Sequence, residues 1–155
     1  MTKLQGARYF TKLDLQWGYN NVRIKEGVEW KAAFVTNRHM FEPKVMFFGL
    51  CNSPATFQTM MDSYFQDLID EEWLVIYMDD MLIYANTKEE LEERTKCVLE
   101  RLNEKDLFLK LEKCKFEKEE VKFLGMIIGF NKVMMDPVKL AGIKDWPAPQ
   151  TVKQV

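Results

Sequence analysis

The segment Leu74–Ala85, "LVIYMDDMLIYA", sets two adjacent carboxylates, Asp79 and Asp80, between two runs of apolar and β-branched residues. Each flank has the length and the Val, Ile and Tyr content of a short buried strand, so the acidic pair is expected at the turn of a hairpin. Two-residue turns favour Asn-Gly or Asp-Gly because their backbone needs positive φ, and neighbouring like charges gain nothing from each other. Two readings stay open at this point. The pair is either a solvated turn with poor turn chemistry, or a place where a hard divalent cation draws an oxygen from each carboxylate. A third carboxylate nearby would favour the cation.

Working outward, "RYFTKLDL" (Arg8–Leu15) alternates as a strand that ends at Asp14, with Gly18 as a breaker after it. The stretches "NNVRIK", "WKAAFVT" and "HMFEPKVMFF" read as further short strands joined by turns at Glu26-Gly27 and Thr36-Asn37. In "NSPATFQTMMDSYFQDLID" the period changes to that of a helix: Ser53 is the expected N-cap, Pro54 opens the first turn, and Phe57, Met61, Tyr64, Phe65 and Leu68 share a face. Beyond the hairpin, Thr87 and Glu90 form a capping box ahead of a second helix whose apolar face carries Leu91, Val98, Leu99 and Leu102. "LFLKL", "EEVKFLGMIIGF" and "NKVMMD" read as strands, and "PVKLAGIKDW" as a short helix closed by Pro147 and Pro149.

The strand to Asp14, the helix from Ser53, the hairpin, the helix from Lys88 and a strand near Val121 give the order β-α-β-β-α-β. That is a split β-α-β, ferredoxin-like α+β fold: an antiparallel sheet with two helices on one face and the first strand beside the hairpin in the middle. Asp14 then meets Asp79 and Asp80 at the ends of neighbouring strands. Carboxylates on adjacent strands, about 4.8 Å apart, can bracket two cations separated by roughly 3.5–4 Å. Such a site activates a hydroxyl and stabilises in-line displacement at phosphorus, so phosphoryl or nucleotidyl transfer is the implied class, with a nuclease or a cyclase as alternatives.

The 155 residues, 47% hydrophobic and 30% charged, suit one globular domain with a real core. A net charge of -2 argues against nucleic-acid binding through a bulk positive field, so any such contact is expected to be local. Cys51, Cys97 and Cys114 are widely spaced, without the pattern of a disulfide framework or zinc site, which points to a reducing compartment. His39 fits no catalytic pattern. No apolar run reaches the roughly 18 residues a membrane span needs, and the opening "MTKLQGARYF" lacks a signal-peptide core, so an intracellular protein, not a secreted one, is expected.

The blocks "FTKLDLQWGYNNVRIKE", "FFGLCNSPATFQTMM", "VIYMDDMLIY", "LEKCKF" and "VKFLGMII" resemble, in this order and over nearly the whole chain, those of reverse transcriptases, and in particular of gypsy-type long-terminal-repeat retrotransposons. The resemblance implies a polymerase palm over residues 1–155 with a partial fingers sheet inserted at about 20–47. Upstream fingers, thumb and ribonuclease H segments of a polyprotein are expected to lie outside these residues. It implies an RNA-directed DNA polymerase acting on an RNA or DNA template-primer and dNTP with two Mg2+ or Mn2+ ions, in the cytoplasm (a virus-like particle) or the nucleus. Asp14, the Leu15 carbonyl, Asp79 and Asp80 match metal ligands, and Lys113 the lysine that protonates departing pyrophosphate. Tyr19 matches the aromatic that excludes a 2′-hydroxyl, and Phe48 and Gly49 belong to the nucleotide-contacting loop. Asn52, Pro54, Gln58 and Met78 match template or primer contacts, and Phe123, Leu124 and Gly125 the hairpin gripping the primer end. Read without the resemblance, Tyr19 and Phe123 are core residues, Asn52 to Gln58 a capped helix, and Lys113 a solvated side chain. "MFF" at Met46–Phe48 and His39 depart from the commoner family pattern without touching the expected ligands. The rival function is a non-catalytic palm remnant that binds protein or nucleic acid.

Overall fold

The computed structural model describes residues 4, 6–144 and 151. Strand β1 (Tyr9–Asp14) is followed by 3-10 turns at Gly18–Asn21 and Glu29–Ala32 and by the short strands β2 (Phe34–Val35) and β3 (Met40–Phe41). Then come α1 (Ser53–Asp70), β4 (Leu74–Tyr77), β5 (Asp80–Ala85) and α2 (Lys88–Glu104). The chain continues through β6 (Lys115–Lys118), β7 (Glu120–Phe123), β8 (Met126–Gly129), β9 (Lys132–Met135) and α3 (Pro137–Lys144).

The main sheet has the order β4-β5-β1-β6, with β1 antiparallel to both β5 and β6, so the first strand does lie beside the hairpin at the centre. The strand that closes this sheet is β6, not the segment near Val121. That segment, β7, belongs to a separate three-stranded sheet, β7-β8-β9. The reason is compositional: β6 is "KFEK", exposed throughout and without an apolar face, whereas β7 and β8 carry the apolar pattern that advertises a strand.

Alternation along the two central strands sends their side chains into two cores. Leu13, Met81, Ile83 and Ala85 pack with Phe57, Met61, Phe65 and Leu68 of α1 and Leu91, Val98 and Leu102 of α2. Phe10, Leu82 and Tyr84, on the opposite face, pack with Val121, Phe123 and Ile128 of the second sheet. Burying each large apolar side chain contributes about 1.5–3 kcal/mol, so the two cores pin the strand register firmly. Lys12, Asp14 and Asp80 share the face that α1 and α2 leave open.

Other expectations need correction. The segment from Glu29 to Ala32 is a 3-10 turn instead of a strand, and "NNVRIK" contributes only the isolated bridge Arg23–Val45. "LFLKL" likewise yields one bridge, Leu109 with Leu15. The N-cap of α1 is Asn52; Ser53 is the first helical residue, buried, with its hydroxyl donating to the Phe47 carbonyl at 3.3 Å. Tyr64 is only partly buried and Leu99 is exposed, with Thr95 taking a place in the α2 stripe. The Thr87 cap forms as expected, its hydroxyl accepting from the Glu90 amide at 3.2 Å. Helix α3 is present to Lys144, while the closing residues Pro147 and Pro149 lie outside the described residues. His39 is an exposed residue beside the Phe41 ring. Among the described residues, no helix is long and apolar enough to cross a membrane.

Candidate active site

The hairpin turn is Met78-Asp79, one residue earlier than the acidic pair suggested, because Tyr77 pairs with Asp80. Met78 takes a left-handed φ of 57°, the sign that a tight turn of the II′ kind needs at its first loop position. Consequently Asp80 starts β5 and is the register partner of Asp14, the last residue of β1. Directly opposed residues on antiparallel strands have Cα atoms about 4.5–5.5 Å apart and point to one face. Asp79 sits at the exposed tip, and its carbonyl accepts the Leu15 amide at 2.8 Å. The Asp14 carbonyl accepts the Lys110 amide at 2.9 Å, so the backbone on both sides of the first aspartate is fixed.

The carboxylates do not gather into a single ligand set. Among the described residues, no three His, Cys, Asp or Glu side chains lie close enough together to hold a metal ion. Of the expected ligands, Asp80 has its Oδ1 2.7 Å from Lys12 Nζ, and Asp14 has its Oδ2 3.7 Å from Lys113 Nζ. Bare anions this near each other repel, and the chain meets that repulsion with its own ammonium groups. Asp14 is only 7% exposed, and its Oδ1 is buried with no hydrogen-bond partner. A buried carboxylate oxygen without a donor is costly unless a cation joins it. With hard oxygen donors at Asp14, the Leu15 carbonyl and Asp79 on the neighbouring hairpin tip, these residues suit a divalent ion. Cys114, behind Asp14, donates its thiol to the Lys110 carbonyl at 3.3 Å; burial pushes its pKa up, which marks it as packing.

A cavity of about 160 Å³ opens beside Asp79, lined by Trp17, Gly18, Tyr19, Phe48, Phe57 and Lys110. Tyr19 lies 4.9 Å from the exposed Phe48 ring and meets the buried Phe57 edge-on at 5.8 Å. Its ring is thus braced from α1 while one side faces the cavity. Gly49, with φ of 105°, lets the chain turn after Phe48. Gln58 reaches from α1 to the hairpin: its Oε1 accepts the Met78 amide at 2.8 Å and its Nε2 donates to the Ile76 carbonyl at 3.3 Å. Asn52 and Pro54 stand exposed at the start of α1. Phe123 is buried in the second core, and Leu124-Gly125 form the tight turn between β7 and β8 with φ of 49° and 76°.

Lys12, Lys110 and Trp17 escaped the sequence reading. For Lys12 a signal existed, since it lies two residues before Asp14 on an alternating strand and so shares its face. Nothing local singles out Lys110, which a loop far along the chain brings to Asp79.

A sheet of this order, with acidic residues at the tips of its two central strands and a braced aromatic cavity beside them, defines the palm class of nucleic-acid polymerase fold. Within that class the chain belongs to the reverse transcriptase family: the family described as "Reverse transcriptase (RNA-dependent DNA polymerase)" matches residues 1–128. It is 35% identical over 153 residues to the retrovirus-related Pol polyprotein from transposon 297 of Drosophila melanogaster. It is 33% identical over 155 residues to the transposon Tf2-3 polyprotein of Schizosaccharomyces pombe. The match covers 99% and 100% of this chain but only 14% and 12% of those polyproteins. The fold superposes on the foamy viral protease-reverse transcriptase in complex with RNA/DNA hybrid with a TM-score of 0.83 at 23% identity, over 95% of this chain and 20% of that one. The dRH form of that protein in complex with double-stranded DNA gives a TM-score of 0.85 at 23% identity, over 95% of this chain and 25% of that one.

Proposed function

We propose that these residues form the catalytic palm, with part of the fingers at about 20–47, of an RNA-directed DNA polymerase of the gypsy-type retrotransposon group. It would extend a primer 3′-hydroxyl from dNTP on an RNA or DNA template, inside the cell. The observation that carries the reading is the pairing of Asp14 with Asp80 across the two central strands, with Asp79 at the tip bonded back to Leu15. Asp14 and Asp79, with the Leu15 carbonyl, are the groups that would hold Mg2+ or Mn2+, and the unpartnered Asp14 Oδ1 is the oxygen best prepared for it. When bound, a pair of such ions activates the attacking hydroxyl and neutralises charge on the phosphates.

The chain's own residues supply position and a proton. Tyr19, braced by Phe57, presents its ring at the cavity where a 2′-hydroxyl would clash, which selects deoxynucleotides. Phe48 and Gly49 flank the base, and Gln58 fixes the height of the Met78 turn under the primer end. The start of α1 at Asn52 and Pro54 faces the template, and the Phe123-Leu124-Gly125 turn lies against the primer strand. The Lys113 ammonium, near Asp14, holds the proton that leaves with pyrophosphate. The test is primer extension by the 155-residue chain, and by a longer polyprotein segment containing it, with Mg2+ or Mn2+. Extension that is lost in Asp79→Asn supports the assignment; no extension by the longer segment refutes it.

A further inference from the structure

We propose that Lys12 is a positioning residue that withholds the Asp80 carboxylate from the metal-binding pair Asp14 and Asp79, so that the affinity of the site for divalent cations is set by an ammonium group two residues from its first ligand. The inference rests on the metal-binding reading of Asp14 and Asp79. Register places Asp14 and Asp80 side by side on one face, which by itself would make both of them ligands of one ion. The side chains decide otherwise: Lys12 Nζ stands 2.7 Å from Asp80 Oδ1, and the two side chains are only 19% and 26% exposed. Lys12 reaches Asp80 diagonally, since its own cross-strand partner is Leu82.

Lys12 lies in register between Leu82, buried in the second core, and Lys115 on the β6 side. A half-buried ion pair of this kind is screened far less than one in open solvent. Asp14 is treated differently. Its Lys113 partner is farther away, at 3.7 Å, and more than half exposed, and its Oδ1 has no partner. One carboxylate is thus neutralised from within, while its neighbour keeps a bare oxygen.

The test is a Mn2+ titration of the full 155-residue chain without nucleotide, following free Mn2+ by electron paramagnetic resonance. Lys12→Met keeps the stem and removes the charge. It is expected to bind Mn2+ roughly tenfold more tightly than the parent chain, the order that follows when the released Asp80 carboxylate adds a unit negative charge a few ångströms from a partly solvated site. Lys12→Arg is expected to restore the parent affinity. The gain is expected to vanish when Asp80→Asn is present in both members of the comparison. Equal or weaker binding by a folded Lys12→Met, or a gain that persists with Asp80→Asn, overturns the proposal and leaves the metal site standing. Absence of Mn2+ binding in the parent and in Lys12→Met overturns the metal site and this proposal together. Lys12→Gln serves in place of Lys12→Met if circular dichroism shows that the latter does not fold, and the same outcomes apply to it.

Discussion

The Oε1 of Gln58, in the second turn of α1, accepts the backbone amide of Met78 at 2.8 Å, tying the first helix to the left-handed residue of the hairpin turn. With its Nε2 on the Ile76 carbonyl, one side chain satisfies a donor and an acceptor at the base of the acidic tip. A hydrogen bond of this type contributes about 0.5–1.5 kcal/mol net, so Gln58→Ala is expected to lower stability by about 1–3 kcal/mol. Urea unfolding measures this, and hydrogen exchange at the Met78 amide should quicken in the variant. Unchanged exchange would mean that the turn stands without the helix.

The turn itself carries strain. A non-glycine residue at φ of 57° is held against its preference, and a β-branched one would be held at greater cost. Met78→Val is therefore expected to lose about 1–3 kcal/mol, while Met78→Gly is expected to unfold within about 1 kcal/mol of the parent. Denaturant midpoints of the three proteins give the comparison.

The turn between β7 and β8 offers the opposite change. Leu124 and Gly125 both have positive φ, the geometry that Asn-Gly fills best, yet Leu124 is a leucine with 41% of its surface exposed. Leu124→Asn is expected to raise stability by about 0.5–1 kcal/mol, read as a higher thermal midpoint. A lower midpoint would show that the leucine side chain contributes packing that its exposure conceals.

An ion pair across the helices gives a pH signature. Asp67 of α1 bonds the Arg101 guanidinium of α2, and that hydrogen bond is the main cause holding its carboxyl below the usual carboxylate range. A carboxyl with a depressed folded-state pKa stabilises the fold above its unfolded value, and that contribution fades as pH falls through the folded value. The parent chain is expected to lose stability below about pH 4 more steeply than Asp67→Asn, the unfolded carboxylate value marking the start of the window. Denaturant midpoints between pH 7 and pH 2.5 test this; parallel curves would show that the exposed pair is screened to insignificance.

The local sequence determined the elements whose signals are local. The Phe57, Met61, Phe65 and Leu68 stripe, the Thr87 cap and the two runs around the acidic pair fixed two helices and a hairpin, and their order placed β1 at the centre of the sheet. Those patterns are imposed by burial on a helix face or a pleat, which leaves its period in the chain. The carboxylate residues 14, 79 and 80 were legible for the complementary reason, since charges at the ends of buried strands need an explanation. Tertiary structure alone decided the closing strand, because "KFEK" at the sheet edge buries nothing and so carries no period. It alone decided that the turn is Met78-Asp79, since the pairing of Tyr77 with Asp80 and the grip of Gln58 override a preference for glycine. It also brought Lys12 and Lys113 to the aspartates they neutralise. Coulomb partners are chosen by distance in space, and distance in space is what a list of residues does not contain.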